Sequence, residues 1–198
     1  MAIRAEHKQG LLDRGQVVDS YTTADGTTYE AVISTYATGI VKKSTNEDGS
    51  VTTTVLNANS GVKNDSGKQR QKENTRNVGS EFDKFKTAAE AAENTTETLG
   101  YDDSNLTVGG SGFLKRDKET NLNIVDSTGN VIGSLGGRIG SDAEETANVK
   151  ALANEIININ TAAISASTST DTPTNTPTNT GLTDTSLTDG PGAGGGGP

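Results

Sequence analysis

The strongest constraint on the fold is a pattern that occurs three times along the chain. A short polar turn ending in glycine separates two segments rich in β-branched residues, with the turns at residues 24–26, 46–49 and 126–129. Glycine accepts the positive φ that tight hairpin turns require, and β-branched side chains favour extended backbone. The pattern predicts three β-hairpins, whose paired segments are residues 16–22 with 27–36, 39–43 with 50–56, and 121–125 with 130–135.

Two other segments show the spacing of amphipathic helices. Ser80 and Asp83 approximate a capping box, and the predicted helix runs from residue 80 to about residue 94. A full capping box, Ser141 with Glu144, begins a second predicted helix that ends near residue 164. The apolar face predicted for the first helix consists of Phe82, Phe85, Ala88, Ala89 and Ala92.

The apolar residues of the second predicted helix recur at alternating spacings of three and four, which is the heptad pattern. Two interpretations remain open: the face packs on a sheet of the same chain, or it forms a seam between copies. The candidate seam residues are Val149, Leu152, Ile156, Ile159 and Ala163.

The two ends of the chain differ from its middle. Residues 1–15 are predicted to form an N-terminal arm, either extended or a short amphipathic helix through Ile3, Leu11 and Leu12. All four prolines lie after residue 164, together with a repeated Thr-Pro-Thr-Asn motif and a glycine run. Such a segment buries too little apolar surface to offset its ordering entropy. We expect residues 16–164 to form the folded domain and residues 165–198 an extended tail.

The segment 57–79 shows no hydrophobic period and is predicted to be a long loop or arm. Between residues 63 and 76 it holds five basic residues against two acidic ones, in a chain of net charge −9. A solvated loop, a protein-binding arm and a nucleic-acid contact all fit this composition, although the segment has no aromatic ring for base stacking. The candidate partner-binding residues are Lys63, Lys68, Arg70, Lys72 and Arg76.

The residues of enzymes and metal sites are sparse. The chain has no cysteine, which excludes thiolate catalysis and cysteine-ligated zinc, and His7 is its only histidine. Asp102 and Asp103 lie in a polar loop and are expected to shape a turn, as are the acidic residues of the 46–49 turn. The glycine-rich segment 133–140 matches neither phosphate-loop fingerprint. We therefore expect no enzyme activity, no cofactor and no metal.

Hydrophobic residues make up only 30% of the chain and aromatic residues 4%. A stand-alone domain of this size normally has a fuller core, so neighbouring copies are expected to complete it. No apolar run is long enough to span a membrane, and no signal peptide is evident at the N-terminus.

In texture the chain resembles virion structural proteins of tailed bacteriophages. The resemblance rests on the threonine-rich hairpin segment 51–55, the hairpin-to-helix segment 131–164 and the Gly/Pro tail. It implies an α+β structural subunit of a multi-copy particle, such as a tail, connector or capsid-associated protein, made in the host cytoplasm and located in the virion. Its partners would be copies of itself and other particle proteins, with neither nucleic acid nor membrane expected. The alternatives are an extracellular appendage subunit and a small nucleotide- or metal-binding protein.

Overall fold

A computed structural model describes residues 3–60, 67–104, 106, 120–137 and 143–169. These residues belong to the α+β class, as predicted, and residues 170–198 of the predicted tail lie outside them. The elements in chain order are α1 (Ala5–Arg14), β1 (Gln16–Thr22), β2 (Thr28–Ile33), β3 (Ala37–Thr45), β4 (Val51–Ser60), α2 (Gly67–Glu93), β5 (Gly100–Asp102), β6 (Thr120–Val125), β7 (Val131–Gly137) and α3 (Ala143–Ser169).

The strands form two antiparallel sheets, ordered β1-β2-β3-β4 and β5-β6-β7, and all three predicted hairpins are confirmed. The three hairpin turns share one geometry. The N–H groups of Thr23, Asn46 and Asp126 each donate to the carbonyl four residues later, at 2.8–3.0 Å. The glycine in each turn has a φ of 80–87°, which side-chain-bearing residues rarely adopt. This is a type I turn closed by a glycine bulge.

The prediction of a loop or arm over residues 57–79 is wrong for residues 57–60 and 67–79, and residues 61–66 lie outside the described residues. Strand β4 continues to Ser60, and helix α2 already begins at Gly67, thirteen residues before the predicted start. The early turns are helical because Asn74 and Val78 extend the buried stripe of Phe82 and Phe85 at spacings of four and three. Asn74 is polar and Val78 is isolated in sequence, so the apolar pattern alone missed them.

The other two helices also refine the prediction. Residues 5–14 take the helical alternative, and Leu11 is the buried residue of α1. Helix α3 begins at Ala143 and continues to Ser169, so the predicted boundary at residue 164 falls five residues short. Ser141, the predicted cap, lies outside the described residues.

The main core lies where α2 and α3 pack against each other, against β2 and β3, and against β6 and β7. A smaller cluster covers the opposite face of the four-stranded sheet, where Leu11 packs with Val32, Ala37, Val41 and Ala58. The chain therefore builds two core clusters from its own residues. The expectation that neighbouring copies add to this core stays a prediction. The largest fully buried hydrophobic side chains include Tyr29, Phe82, Phe85, Ile40, Leu122, Ile124, Leu135, Leu152 and Ile156.

The candidate seam of α3 belongs to this core. Val149, Leu152, Ile156 and Ile159 are at most 7% exposed within a single chain, and Ala163 is half-buried. Since the four large side chains already pack against α2 and the sheets, they are not available as a seam between copies. The alternative interpretation, a helix packed on a sheet, is the correct one.

Gly133 of β7 sets how closely this strand approaches α2. A Cβ atom at position 133 would lie 2.7 Å from Cβ and 3.2 Å from Cα of Ala88. We expect Gly133→Ala to lower the free energy of unfolding by about 1–3 kcal/mol, because the strand and helix must move apart.

Urea unfolding followed by circular dichroism measures this effect. Gly100→Ala is the matched control, since a Cβ on this other strand glycine meets no atom within 4 Å. Equal stability of the two variants would contradict the proposed close approach.

Candidate assembly surfaces

His7, Asp102 and Asp103, the residues that the sequence offered for enzyme or metal chemistry, each have structural contacts. The ring of His7 stacks on Tyr36 with centroids 5.2 Å apart. Asp102 accepts the N–H of Ser104 at 2.9 Å, which lowers the pKa of its carboxyl, whereas Asp103 pairs with Lys150 at 2.6 Å. Among the residues that the structure describes, no cluster of three or more His, Asp or Glu side chains is arranged to hold a metal ion.

The glycine-rich segment 133–140 does not form a phosphate-binding loop over its described part. Residues 133–137 are the second half of β7, paired with β6. Residues 138–140 lie outside the described residues. Gly133, Gly136 and Gly137 lie in this strand, and Gly133 allows β7 to approach α2 closely, as described above.

A buried polar cluster, which the sequence analysis missed, connects α3 to the four-stranded sheet. The hydroxyl of Tyr29 donates a 2.8 Å hydrogen bond to Oε1 of Glu155, and Lys42 forms an ion pair with the same oxygen. Burial and the adjacent carboxylate raise the pKa of Tyr29, so the phenol remains a donor at neutral pH. A single acidic residue on the apolar side of α3 is the signal that points to this cluster.

A second buried polar group fastens the end of α2. The side-chain amide of Asn160 accepts the N–H of Leu99 and donates to the carbonyls of Ala92 and Glu97, at 3.1–3.2 Å. Asn160 is fully buried, so these bonds satisfy backbone groups that water does not reach. Both buried clusters therefore stabilise the fold and offer no open site.

Removing Glu155 tests this structural role. We expect Glu155→Ala to lower the free energy of unfolding by about 1–3 kcal/mol, because the buried Tyr29 hydroxyl loses its acceptor. Glu155→Gln should lose less, since the amide oxygen still accepts that bond.

Chemical denaturation at neutral pH provides the measurement. The exposed neighbour Asn154 is the control position, and Asn154→Ala should change stability by less than about 0.5 kcal/mol. A Glu155→Ala protein as stable as this control would show that the cluster contributes little.

The first open surface is the outer part of the β3–β4 hairpin, residues 44–54. From here on, the arm means this hairpin segment and not the predicted N-terminal arm at residues 1–15. Side chains 45–54 are exposed on both faces of the hairpin, and Val51 is 59% exposed. In the described parts of the chain, β4 pairs only with β3, which leaves its other edge without a neighbouring strand. A bulge lies at Leu56, where Ile40 pairs with Asn57 and Val41 with Val55. Between the bulge and the turn, the strand is regular.

The turn determines which backbone groups of the arm face outwards. Asn46 donates to the carbonyl of Ser50, so these two residues form a hydrogen-bonded pair. Such pairs alternate along an antiparallel ladder. The next pair, Thr45 with Val51, is therefore not hydrogen-bonded. The same alternation directs the N–H and C=O groups of Val51, Thr53 and Val55 towards the open edge.

The second open surface is basic. Lys68, Lys72 and Arg76 lie four residues apart on one exposed face of α2 and line a groove of about 670 Å³. Gln69 and Glu73 also line it, and Glu73 lies 3.8 Å from Arg76. The structure thus brings three of the five candidate basic residues together. Arg70 belongs to the same helix but not to the described lining, and Lys63 lies outside the described residues.

The comparisons with known proteins add no relative. No protein-family model, curated protein or solved structure matches this chain. None of the helices in the described residues is long and apolar enough to cross a bilayer. The arm and the basic face of α2 are therefore the two surfaces from which a function is proposed.

Proposed function

We propose that this chain is a non-enzymatic structural subunit of a multi-copy particle, in which neighbouring molecules pair with the open edge of the arm. The observation that carries the proposal is the run of outward backbone groups at Val51, Thr53 and Val55, to which no described strand pairs. Unpaired strand edges are templates for another chain. Five residues of strand, about 17 Å, offer such a template here.

Between the turn and the bulge at Leu56, residues 51–55 of this edge lack the features that usually prevent pairing. Proteins protect strand edges with charged side chains, prolines or bulges. The opposite edge strand, β1, has a bulge between Val17 and Asp19, carries the charge of Asp19, and contacts α2 through a 3.1 Å bond between Gln16 and Gln71. Residues 51–55 contain only valine and threonine. The contrast supports a partner for β4.

The arm also contributes little to the core of its own chain. The buried residues of β3 end at Val41, and those of β4 begin at Asn57. A threonine-rich hairpin that extends beyond the core is suited to contact a neighbouring molecule, where its β-branched side chains form cross-strand pairs. The burial pattern thus separates a folding part of the sheet from a part that remains free to bind.

The particle that we propose is the virion of a tailed bacteriophage, with this chain as a tail, connector or capsid-associated subunit. Support for this choice is the compositional resemblance described above. The exposed hairpin agrees with a role in which many copies join through strands. Other structural proteins of the same particle are the remaining proposed partners.

A proline at the open edge tests the proposal. Because the N–H of Thr53 faces outwards, Thr53→Pro should keep the β3–β4 ladder and its melting temperature within a few degrees, yet abolish pairing at the edge. Self-association is measured by size-exclusion chromatography with light scattering over a range of protein concentrations.

Thr53→Ala is the matched control, since it removes the same side chain but keeps the N–H donor. We expect the alanine protein to associate like the wild type and the proline protein to remain monomeric. Association of the folded proline protein at wild-type strength would refute pairing at this edge, and a wild-type chain that stays monomeric at all concentrations would refute the subunit role.

A further inference from the structure

The four-stranded sheet has two ends, and the ends carry opposite charge. The antiparallel register places Gln16, Ile33 and Thr38 at one end, named here the base. Thr28 and Lys43 lie at the other end, beyond which the arm projects; this end is named the tip. Base and tip are separated by the part of β3 from Thr38 to Lys43, about 17 Å.

The basic face of α2 lies at the base. The bond between Gln71 and Gln16 places the first turns of the helix there. Lys68, Lys72 and Arg76 extend over about 12 Å of the helix axis. Residues 67–80 contain four basic residues against one acidic residue, whereas residues 82–93 contain three acidic residues against two basic ones. Glu81, between these two segments, bonds to Asn59 near the base. The charge of α2 therefore changes sign from base to tip.

The turn that ends the arm, beyond the tip of the sheet, is acidic. Glu47 and Asp48 are both exposed in the turn that ends the hairpin. Asp48 accepts hydrogen bonds from the hydroxyl of Ser50 at 2.5 Å and from its N–H at 2.9 Å, and these lower the pKa of the Asp48 carboxyl and keep it ionised. The two lysines nearest to the arm already have partners: Lys42 pairs with Glu155, and Lys43 pairs with Glu30 at 2.7 Å. The acidic charge at the tip is thus not neutralised by these lysines.

The helix dipoles add to this polarity. Helix α2 runs from Gln71 at the base to Glu93, which accepts the N–H of Ala24 at 2.7 Å near the tip. Helix α3 runs the same way, because Asn148 bonds to Ala58 near the base and Glu155 bonds to Tyr29 nearer the tip. Both helices present their positive ends at the base and their negative ends towards the tip.

From these charges we infer a head-to-tail contact: the acidic turn of one copy, Glu47 and Asp48, docks in the groove lined by Lys68, Lys72 and Arg76 on the next copy. This inference rests on the proposed function, since it requires that copies associate. A single chain does not satisfy the contact itself, because the two surfaces lie at opposite ends of its sheet. A contact between two different surfaces repeats from copy to copy and builds a ring or a filament.

Charge reversal tests this contact. The turn variant is Glu47→Lys with Asp48→Asn, in which the asparagine side-chain oxygen still accepts the hydrogen bond from Ser50 that shapes the turn. The groove variant is Lys72→Glu with Arg76→Glu. We expect each variant to lower the self-association constant by about tenfold or more, because like charges then meet at the contact. Asp83→Lys, an exposed position on the middle of α2, is the control and should associate like the wild type.

Mixing the two reversed proteins is the decisive measurement, made by analytical ultracentrifugation. The basic turn of one variant then fits the acidic groove of the other, so the mixture should associate more strongly than either protein alone. Wild-type association should also weaken as salt rises from about 50 mM to about 500 mM. Melting curves establish that each variant is folded. The neutral variants Glu47→Gln and Lys72→Gln should lose less self-association than the charge-reversed variants if the charges act as inferred.

Other outcomes would overturn the contact. If the wild type associates but neither reversal nor salt changes that association, the head-to-tail contact is wrong while the subunit proposal stands. If the wild type does not associate at all, both are wrong. If the groove variant loses binding to a DNA or RNA oligonucleotide but keeps wild-type self-association, the groove belongs to nucleic acid and not to a second copy.

Discussion

The packing of α2 against α3 is the interaction on which the rest of the structure depends. These two helices contact both sheets, and the main core is formed from their apolar faces together with the inner faces of β2, β3, β6 and β7. Phe82 and Phe85 supply the bulk on α2, while Ala88, Ala89 and Ala92 allow close approach. A chain with few aromatic residues thereby reaches a dense core, since short side chains reduce the volume to be filled.

Polar groups complete this packing where apolar residues are scarce. Glu155 links α3 to Tyr29 and Lys42 of the sheet, and Asn160 holds the chain that leaves α2. Buried polar groups with all their partners hold neighbouring elements in one arrangement, because each alternative arrangement leaves a donor or acceptor unpaired. The core therefore depends on two buried polar residues of α3 as well as on its apolar residues.

The assembly proposal rests on surfaces outside the core. Scarcity of apolar residues first indicated that neighbours must complete the fold, yet the chain buries its own apolar faces. Two open surfaces lie outside this core: the edge of β4 in the arm, where Val51 is exposed among threonines, and the basic face of α2. In the proposed assembly, association through such surfaces would leave each copy folded before it joins, and charge would give the contact its direction.

Elements with local signals were predictable from the chain. The turn glycines at 26, 49 and 129 require positive φ, so the three hairpins were readable from the chain. The stripes from Phe82 to Ala92 and from Val149 to Ile159 likewise predicted their helices. Three features depend on distant partners and needed the tertiary structure. Asn74 and Val78 extend α2 into the basic segment, and the apolar stripe of α3 faces the core of its own chain. Lys68, Lys72 and Arg76 line one groove. A pattern along the chain shows which face of an element is apolar or charged. The surface that this face meets depends on contacts between residues far apart in sequence, as between Glu155 and Tyr29.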